Sequence, residues 1–168
     1  MVVAVVQISE SNLVGENVTN NVTNLNIGSA DAVNLVVASN TIIATENSFE
    51  KWTRIRCDTI EDSNKIDNFK FWMTPATAET GITYLTNAQN PLANDAFATP
   101  VATTSTIADV AMPTSVPGSE NIGVSGGSGG LTADNTFSDY CVIQVQVTGA
   151  ADPGDLLQKT FHYQYDEQ

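Results

Sequence analysis

The chain has 168 residues, of which 42% are apolar and only 15% are charged, and its formal net charge is −13. This length favours a single domain over residues 1–168, and the apolar fraction excludes a globally disordered chain. The excess of acid argues against a nucleic-acid-binding protein that neutralises phosphates. Frequent Val and Thr, with few Lys, Arg and Met, favour strands over helices.

The N-terminal region begins with an apolar run, MVVAVV, that is far too short to span a bilayer and has no basic segment before it. We therefore expect a protein made in the cytoplasm without a secretion signal, and no membrane partner. The near-repeat NVTNNVTN at 17–24 is rich in Asn and uncharged. Such a segment suits either an arm laid across a neighbouring subunit or a strand of the domain's own sheet. Residues 1–30 are therefore a candidate N-terminal arm.

Alternation of apolar and polar residues recurs along the chain, with Gly, Pro, Asn and Asp turns between the alternating segments. The predicted strands are Val2–Ile8, Val18–Ile27, Val33–Ala38, Thr41–Thr45, Phe49–Cys57, Asp67–Met73, Ile82–Thr86, Tyr140–Thr148 and Lys159–Tyr165. Many short strands predict an all-β fold, an antiparallel β-sandwich of the jelly-roll or Ig-like kind.

Two regions are typical of long loops. Residues 87–115 are rich in Ala, Thr and Pro, with one further strand expected near Thr106–Met112. Residues 117–130, PGSENIGVSGGSGG, are typical of a flexible surface loop and lack the context of a phosphate-binding loop.

Positive charge is concentrated in one short part of the chain. Five of the six Lys and Arg residues lie between positions 51 and 70, beside the only two tryptophans. Alternation gives the two predicted strands of this part an inward and an outward face. The inward set, which we assign to the core, is Phe49, Ile55, Cys57, Phe69, Phe71 and Met73. The outward set, on one face of a predicted hairpin, is Trp52, Arg54, Arg56, Lys70 and Trp72.

The outward set has two interpretations. In the structural one, cations rest on aromatic rings across strands, each exposed pair contributing about 0.5–1 kcal/mol. In the functional one, the five residues form a partner-contact surface, because Trp and Arg are enriched at the centres of protein interfaces. A basic patch on an acidic body also complements the acidic surface of a neighbour in an array.

Residue types that carry catalysis or bind metals are sparse. Cys57 and Cys141 are predicted to be buried free thiols, with a cross-strand disulfide as the alternative and no zinc site. The loop DTIEDSNKIDN at 58–68 does not fit the EF-hand pattern, although an irregular calcium site stays open. The only histidine, His162, is expected to be partly exposed. We therefore expect no cofactor, no resident metal and no enzyme activity, with a hydrolase in an unrecognised cleft as the alternative.

Two segments resemble structural proteins of tailed-bacteriophage virions. They are EKWTRIRCDTIEDSNKIDNFKFWMTPATAETGITYLTNAQ at 50–89 and SDYCVIQVQVTGAADPGDLLQKTFHYQYDE at 138–167. The first resembles an aromatic and basic strand followed by a polar turn and a strand containing Asn-Phe-Lys and Trp. The second is similar to the final strand pair of such small β-sandwich domains.

The resemblance implies a non-enzymatic role in a virus particle, assembled in the host cytoplasm. A head decoration or cement protein comes first, and a tail or fibre component second. The implied partners are the major capsid protein or another virion protein, with self-association as a trimer or dimer. A carbohydrate-binding sandwich, with Trp52 and Trp72 stacked on sugar rings, is a separate alternative.

Overall fold

Short strands joined by irregular segments make up the part of the chain that the structure describes. The computed structural model describes residues 2–13, 17–89, 100, 103–104, 108–152, 154 and 157–168. The strands are β1 Val5–Asn12, β2 Asn17–Thr19, β3 Lys51–Thr59, β4 Ile66–Thr74, β5 Ile82–Thr86, β6 Val110–Ala111, β7 Gly130–Leu131, β8 Thr136–Phe137, β9 Cys141–Val147 and β10 Thr160–Glu167. A single 3-10 turn spans Val37–Ser39 within these ranges.

The strands form two antiparallel sheets that pack face to face. Sheet A has the order β2-β1-β3-β9-β5-β6, with β8 also paired to β3, and sheet B has the order β10-β4-β7. The predicted all-β, antiparallel sandwich is therefore confirmed. The choice between a jelly-roll and an Ig-like arrangement stays a prediction.

The chain crosses between the sheets where a hairpin was predicted. Strand β3 lies in sheet A and pairs with β1, β8 and β9, whereas β4 lies in sheet B and pairs with β10 and β7. The predicted β3–β4 hairpin is therefore wrong. The final two strands are not a pair either, since β9 belongs to sheet A and β10 to sheet B. A hairpin and a crossing between layers have the same period-2 alternation, so the pattern does not distinguish them.

The core lies between the sheets. Of the predicted inward set, Ile55, Cys57, Phe69, Phe71 and Met73 are buried in one cluster, as predicted, while Phe49 is only half-buried. Both cysteines are buried and unbonded. Burial raises the pKa of the Cys141 thiol to about 12, and it also raises the pKa of the Cys57 thiol, so both are held in the protonated, unreactive form.

The region between β2 and β3 departs most from the predicted strands. The predicted strand Val18–Ile27 is reduced to the short β2, and Val33–Ala38 and Thr41–Thr45 contain no strand. Beyond β2, Asn21 has a left-handed φ of 57°, which interrupts the extended backbone. Local hydrogen bonds then hold the segment, such as Ser29 N–H to the Asn40 carbonyl at 3.0 Å. Alternation alone does not make a strand, because a strand also needs a backbone partner.

Parts of the candidate N-terminal arm and of the Gly-rich loop pair or pack within the sandwich. Within residues 1–30, residues 5–11 of β1 pair with β3 in sheet A. Within residues 117–130, Asn121 and Ile122 are buried, and the Asn121 side chain bonds the Phe71 backbone N–H and carbonyl at 2.8 and 2.9 Å. Strands β7 and β8 were not predicted. Positions 90–99, 101–102 and 105–107 of the predicted long loops lie outside the described residues.

Candidate functional site

The five residues of the predicted contact surface are divided between two faces. Trp52, Arg54 and Arg56 project from the outer face of sheet A, whereas Lys70 and Trp72 project from the outer face of sheet B. The core lies between these two faces. A single surface that contains all five is therefore wrong, because it depended on the hairpin that the fold does not form.

Trp52 belongs to a second apolar cluster on the outer side of sheet A. Its side chain is only 2% exposed and packs with Tyr140, Val142 and Ala108. The Trp52 and Tyr140 rings meet edge to face, with centroids 5.6 Å apart and an interplanar angle of 77°. This arrangement is favourable for two aromatic quadrupoles. Trp52 therefore stabilises the domain and does not present a ring to a ligand.

Arg54 and Arg56 are engaged with their own chain. The Arg54 guanidinium lies 3.9 Å from the centroid of the Phe137 ring and 4.5 Å from that of Tyr140. Arg56 pairs with Asp58 and donates to the Gln7 side-chain oxygen at 3.2 Å. These contacts match the structural interpretation of cations resting on aromatic rings, although the rings are not the tryptophans.

Trp72 and Lys70 remain on an outward face. Trp72 is half-buried and stacks on His162 of the neighbouring strand, with ring centroids 4.8 Å apart and planes 7° from parallel. The Nε2 atom of His162 lies 2.7 Å from the Thr74 hydroxyl. Among the described residues, Lys70 forms no ion pair. The part of the predicted surface that can meet a partner is thus Lys70 with the Trp72–His162 stack.

Almost all the cationic side chains form ion pairs or ring contacts within the chain. Lys51 pairs with Glu10 at 2.8 Å, and each of these side chains is only 1% exposed. Lys65 pairs with Asp67 at 2.5 Å, and Lys159 pairs with Glu79 at 3.2 Å. With the two arginines also engaged, Lys70 alone is outside such contacts among the described residues. The chain keeps a net charge of −13 with these contacts counted, so its exterior is predominantly acidic.

A large cleft lies between the inner face of sheet A and the edge of β10. Its volume is about 870 Å³. Its lining is mostly apolar and includes Ile8, Leu25, Tyr84, Val145, Phe161 and Tyr163. Cavities of this size are large enough for a drug-sized ligand or a peptide segment. The sequence carries no local motif for this cleft, because its walls combine strands and irregular segments that are distant along the chain.

Ionisable groups in the cleft wall and directly behind it are held by specific contacts. Burial would raise the pKa of Glu79, but hydrogen bonds from the Leu157 N–H, the Tyr84 hydroxyl and Lys159 outweigh burial and hold that pKa below its usual value. Burial raises the pKa of Tyr84 and of Tyr163 far above the usual tyrosine value. Both tyrosines are therefore neutral hydrogen-bonding groups, and Glu79 is a fixed anion.

The polar loop at 58–68 uses its carboxylates within the fold. Asp58 pairs with Arg56, Asp62 accepts the Val2 N–H at 2.7 Å, and Asp67 pairs with Lys65. Across the described residues, no group of three or more His, Cys, Asp or Glu side chains is placed to hold a metal ion. In the same ranges, no helix is long and apolar enough to cross a membrane.

Comparisons with protein-family models, with curated proteins and with solved structures find no match to this chain.

Proposed function

We propose that this chain is a non-enzymatic structural protein of a tailed-phage particle, a decoration or cement protein that binds and stabilises an assembled shell. The observation that carries the proposal is an acidic sandwich whose cations, apart from Lys70, are engaged by its own side chains. Such an exterior favours a neutral or basic neighbour and disfavours nucleic acid. The two virion-like segments supply β3, β4, β5, β9 and β10, and so contribute to both layers.

A decoration protein stabilises its shell by mass action. Because it binds the assembled lattice better than free subunits, it shifts the equilibrium toward the assembled state as its concentration rises. Charge complementarity between an acidic protein and basic groups on the lattice speeds association and makes it sensitive to salt. A protein with this role needs no catalytic group, only a rigid fold and an accessible contact surface.

The test uses empty shells assembled from the capsid protein encoded in the same genome but lacking this chain. Purified protein is mixed with shells and with unassembled capsid subunits, and co-sedimentation and shell melting are measured. We expect binding to shells, a higher shell melting temperature, and weaker binding as salt is raised. Protein that binds neither shells nor subunits would overturn the proposal.

The outer face of sheet B is the proposed contact surface. Trp72→Ala and Lys70→Ala are expected to weaken shell binding by about tenfold or more if they lie at the centre of the interface. Val116→Ala is the matched control, because Val116 is also an exposed side chain, at 53%. Self-association as a trimer or dimer stays a prediction, which light scattering on the purified protein would check.

Two other functions make different predictions. A tail or fibre component would be found at the tail, not over the head, when particles are labelled with antibody against this chain. A carbohydrate-binding module is favoured only by the half-exposed Trp72, since Trp52 is buried. Binding on a glycan array that disappears in Trp72→Ala would establish that second function in place of shell binding.

A further inference from the structure

We propose that the free edge of β10 and the cleft beside it accept an extended apolar segment of a shell protein. That segment carries cationic residues at its ends and adds to sheet B as a further strand. Extended peptides bind exposed sheet edges in this way in many proteins, with backbone hydrogen bonds supplying affinity. This docking mode rests on the proposed function only for the origin of the segment in a virus shell.

The pairing of β10 with β4 shows which backbone groups are free. The Met73 N–H bonds the Pro113 carbonyl at 2.8 Å, and the Phe71 N–H bonds the Asn121 side chain at 2.8 Å. The backbone N–H groups of both residues therefore point away from β10. Their partners across the ladder are Phe161 and Tyr163. In an antiparallel pair, opposite residues that do not bond each other direct N–H and C=O outward. The backbone groups of Phe161 and Tyr163 therefore point to the open edge.

Among the described strands, none occupies that edge. Strand β10 is the last strand of sheet B, and within the described residues no hydrogen bond reaches the backbone of Phe161 or Tyr163 from the open side. The irregular segment 22–27 lines the opposite side of the cleft, where the Val22 N–H bonds the Ile8 carbonyl at 2.9 Å and the Asn26 side chain donates to the Leu35 carbonyl at 2.9 Å. One side of the cleft is thus formed by a strand edge whose outward N–H and C=O groups have no hydrogen-bond partner among the described residues.

The chemistry of the cleft favours a peptide strand over a lipid or another apolar molecule. The Phe161 and Tyr163 side chains line the same cleft that their backbone groups border. A strand placed there would satisfy those N–H and C=O groups and direct alternate side chains into the apolar space. A hydrocarbon chain would fill the space but would leave the backbone groups without hydrogen bonds, which is unfavourable in an apolar environment.

Charge favours a different protein over a second copy of this chain. Every copy carries a net charge of −13, and five of its six cations are already held by its own side chains or rings. At the cleft itself, Lys159 is neutralised by Glu79, and Asp152 remains as an acid in the lining. A segment with lysine or arginine at its ends is attracted to this region, whereas an acidic copy is repelled.

The test measures hydrogen exchange at the Phe161 and Tyr163 amides by NMR. The probe is a synthetic peptide of alternating valine and threonine with lysines at both ends, at ten times its dissociation constant. We expect both amides to exchange quickly alone and to slow about tenfold with peptide, as mass action requires. Binding without slowing of these amides would overturn the proposal. Slow exchange of these amides in the protein without peptide would also overturn it. If that protection increases with protein concentration, the occupant of the edge is a second copy of this chain.

Variants test the cleft without removing core residues. Ala151→Trp fills the cleft and is expected to weaken peptide binding by tenfold or more, whereas Val116→Trp, at an exposed site that does not line the cleft, is the matched control. Leu157 is 49% exposed and lines the cleft. Leu157→Lys should therefore weaken binding of the lysine-flanked peptide more than Leu157→Glu. Equal effects of these two variants would contradict the charge preference.

Shell binding separates the two proposals. If Ala151→Trp binds shells as well as the unchanged protein does, this docking site is wrong and the proposed function stands. If the unchanged protein ignores shells but binds the peptide through its β10 amides, the proposed function is wrong and the acceptor edge stands.

Discussion

Strands β3 and β4 are alike in sequence but differ in what covers them. Each alternates, each carries outward positive charge, and each has one tryptophan on its outward side. The outward side of β3 is covered, so Trp52 is 2% exposed, whereas the outward side of β4 leaves Trp72 half-buried. The difference teaches that alternation assigns a side chain to a face of a sheet but not to solvent. Whether that face is exposed to solvent depends on which segments from elsewhere in the sequence pack over it.

The same contrast holds for the cations. Lys51 lies on the inner side of β3 and forms an ion pair with Glu10 in the interior. Lys70 lies on the outer side of β4 and forms no ion pair with any described residue. A lysine in an alternating strand is usually a surface residue. Lys51 is buried because Glu10 and the Ala32 carbonyl, at 2.6 Å from its Nζ, replace its water.

The largest expected effect comes from breaking the buried pair. Lys51→Met should destabilise the domain by about 3–5 kcal/mol, because it leaves the Glu10 carboxylate buried without a cation. Lys70→Met should change the free energy of unfolding by less than about 0.5 kcal/mol. Urea unfolding measures both. The double variant Lys51→Met with Glu10→Gln should recover much of the loss, and no recovery would show that the pair is not the cause.

Replacing each tryptophan with alanine tests directly whether the outer face of β3 is more deeply buried than the outer face of β4. Trp52→Ala should cost about 3–5 kcal/mol, because it empties the outer cluster on sheet A. Trp72→Ala removes only a half-exposed cross-strand stack on His162 and should cost about 1 kcal/mol or less. Equal losses of unfolding free energy in the two variants would mean that the outer faces are covered alike.

A smaller effect is expected at Arg54. Arg54→Met keeps much of the side-chain volume but removes the cation from the Phe137 and Tyr140 rings. The expected loss is about 1–2 kcal/mol, since cation–π contacts are stronger when partly desolvated. Arg54→Lys is the informative companion variant, because it keeps the charge but not the planar group. If both variants unfold at the same urea concentration as the unchanged protein, the ring contacts do not stabilise the domain.

The smallest expected effect concerns pH and the wall of the cleft. The pKa of Glu79 is lower in the folded chain than its ordinary value of 4.5, so its contribution to stability is present above that value. The contribution is lost as pH falls through the folded pKa. Melting temperatures should therefore differ between Glu79→Gln and the unchanged protein at neutral pH and converge in acid. A difference that grows as pH falls would contradict the lowered pKa.

Much of the sandwich follows from local pattern. The strand Ile82–Thr86 was predicted with its observed bounds, and the inward residues of β3 and β4 were assigned correctly, because period-2 alternation is a local property. The irregular segment 20–46 was over-predicted as strand. Its alternation is real, but the short β2 ends at Thr19, and the segment beyond it has scattered backbone hydrogen bonds, such as the Val22 N–H to the Ile8 carbonyl, instead of a strand ladder. The Gly-rich stretch also concealed the buried Asn121, whose role depends on meeting Phe71 from fifty positions away.

The candidate site was less predictable than the fold. The five residues share a pattern, yet the crossing between β3 and β4 sends them to opposite sides of the sandwich. The β10 edge and its cleft had no signal of their own, because a free edge is defined by the strand that is missing beside it. Pairing partners are non-local, and a single sequence does not reveal them.

The sequence by itself determined the all-β class, the inward faces of the main strands, the burial of both cysteines and the acidic exterior. These depend on composition and on neighbours one or two positions apart. Only the tertiary structure decided that Trp52 and Lys51 are interior, that Trp72 and Lys70 lie on the other layer, and that β10 is the edge strand of sheet B among the described strands. Each of these depends on which distant segment covers or pairs with a strand, and that is set by packing of the whole chain.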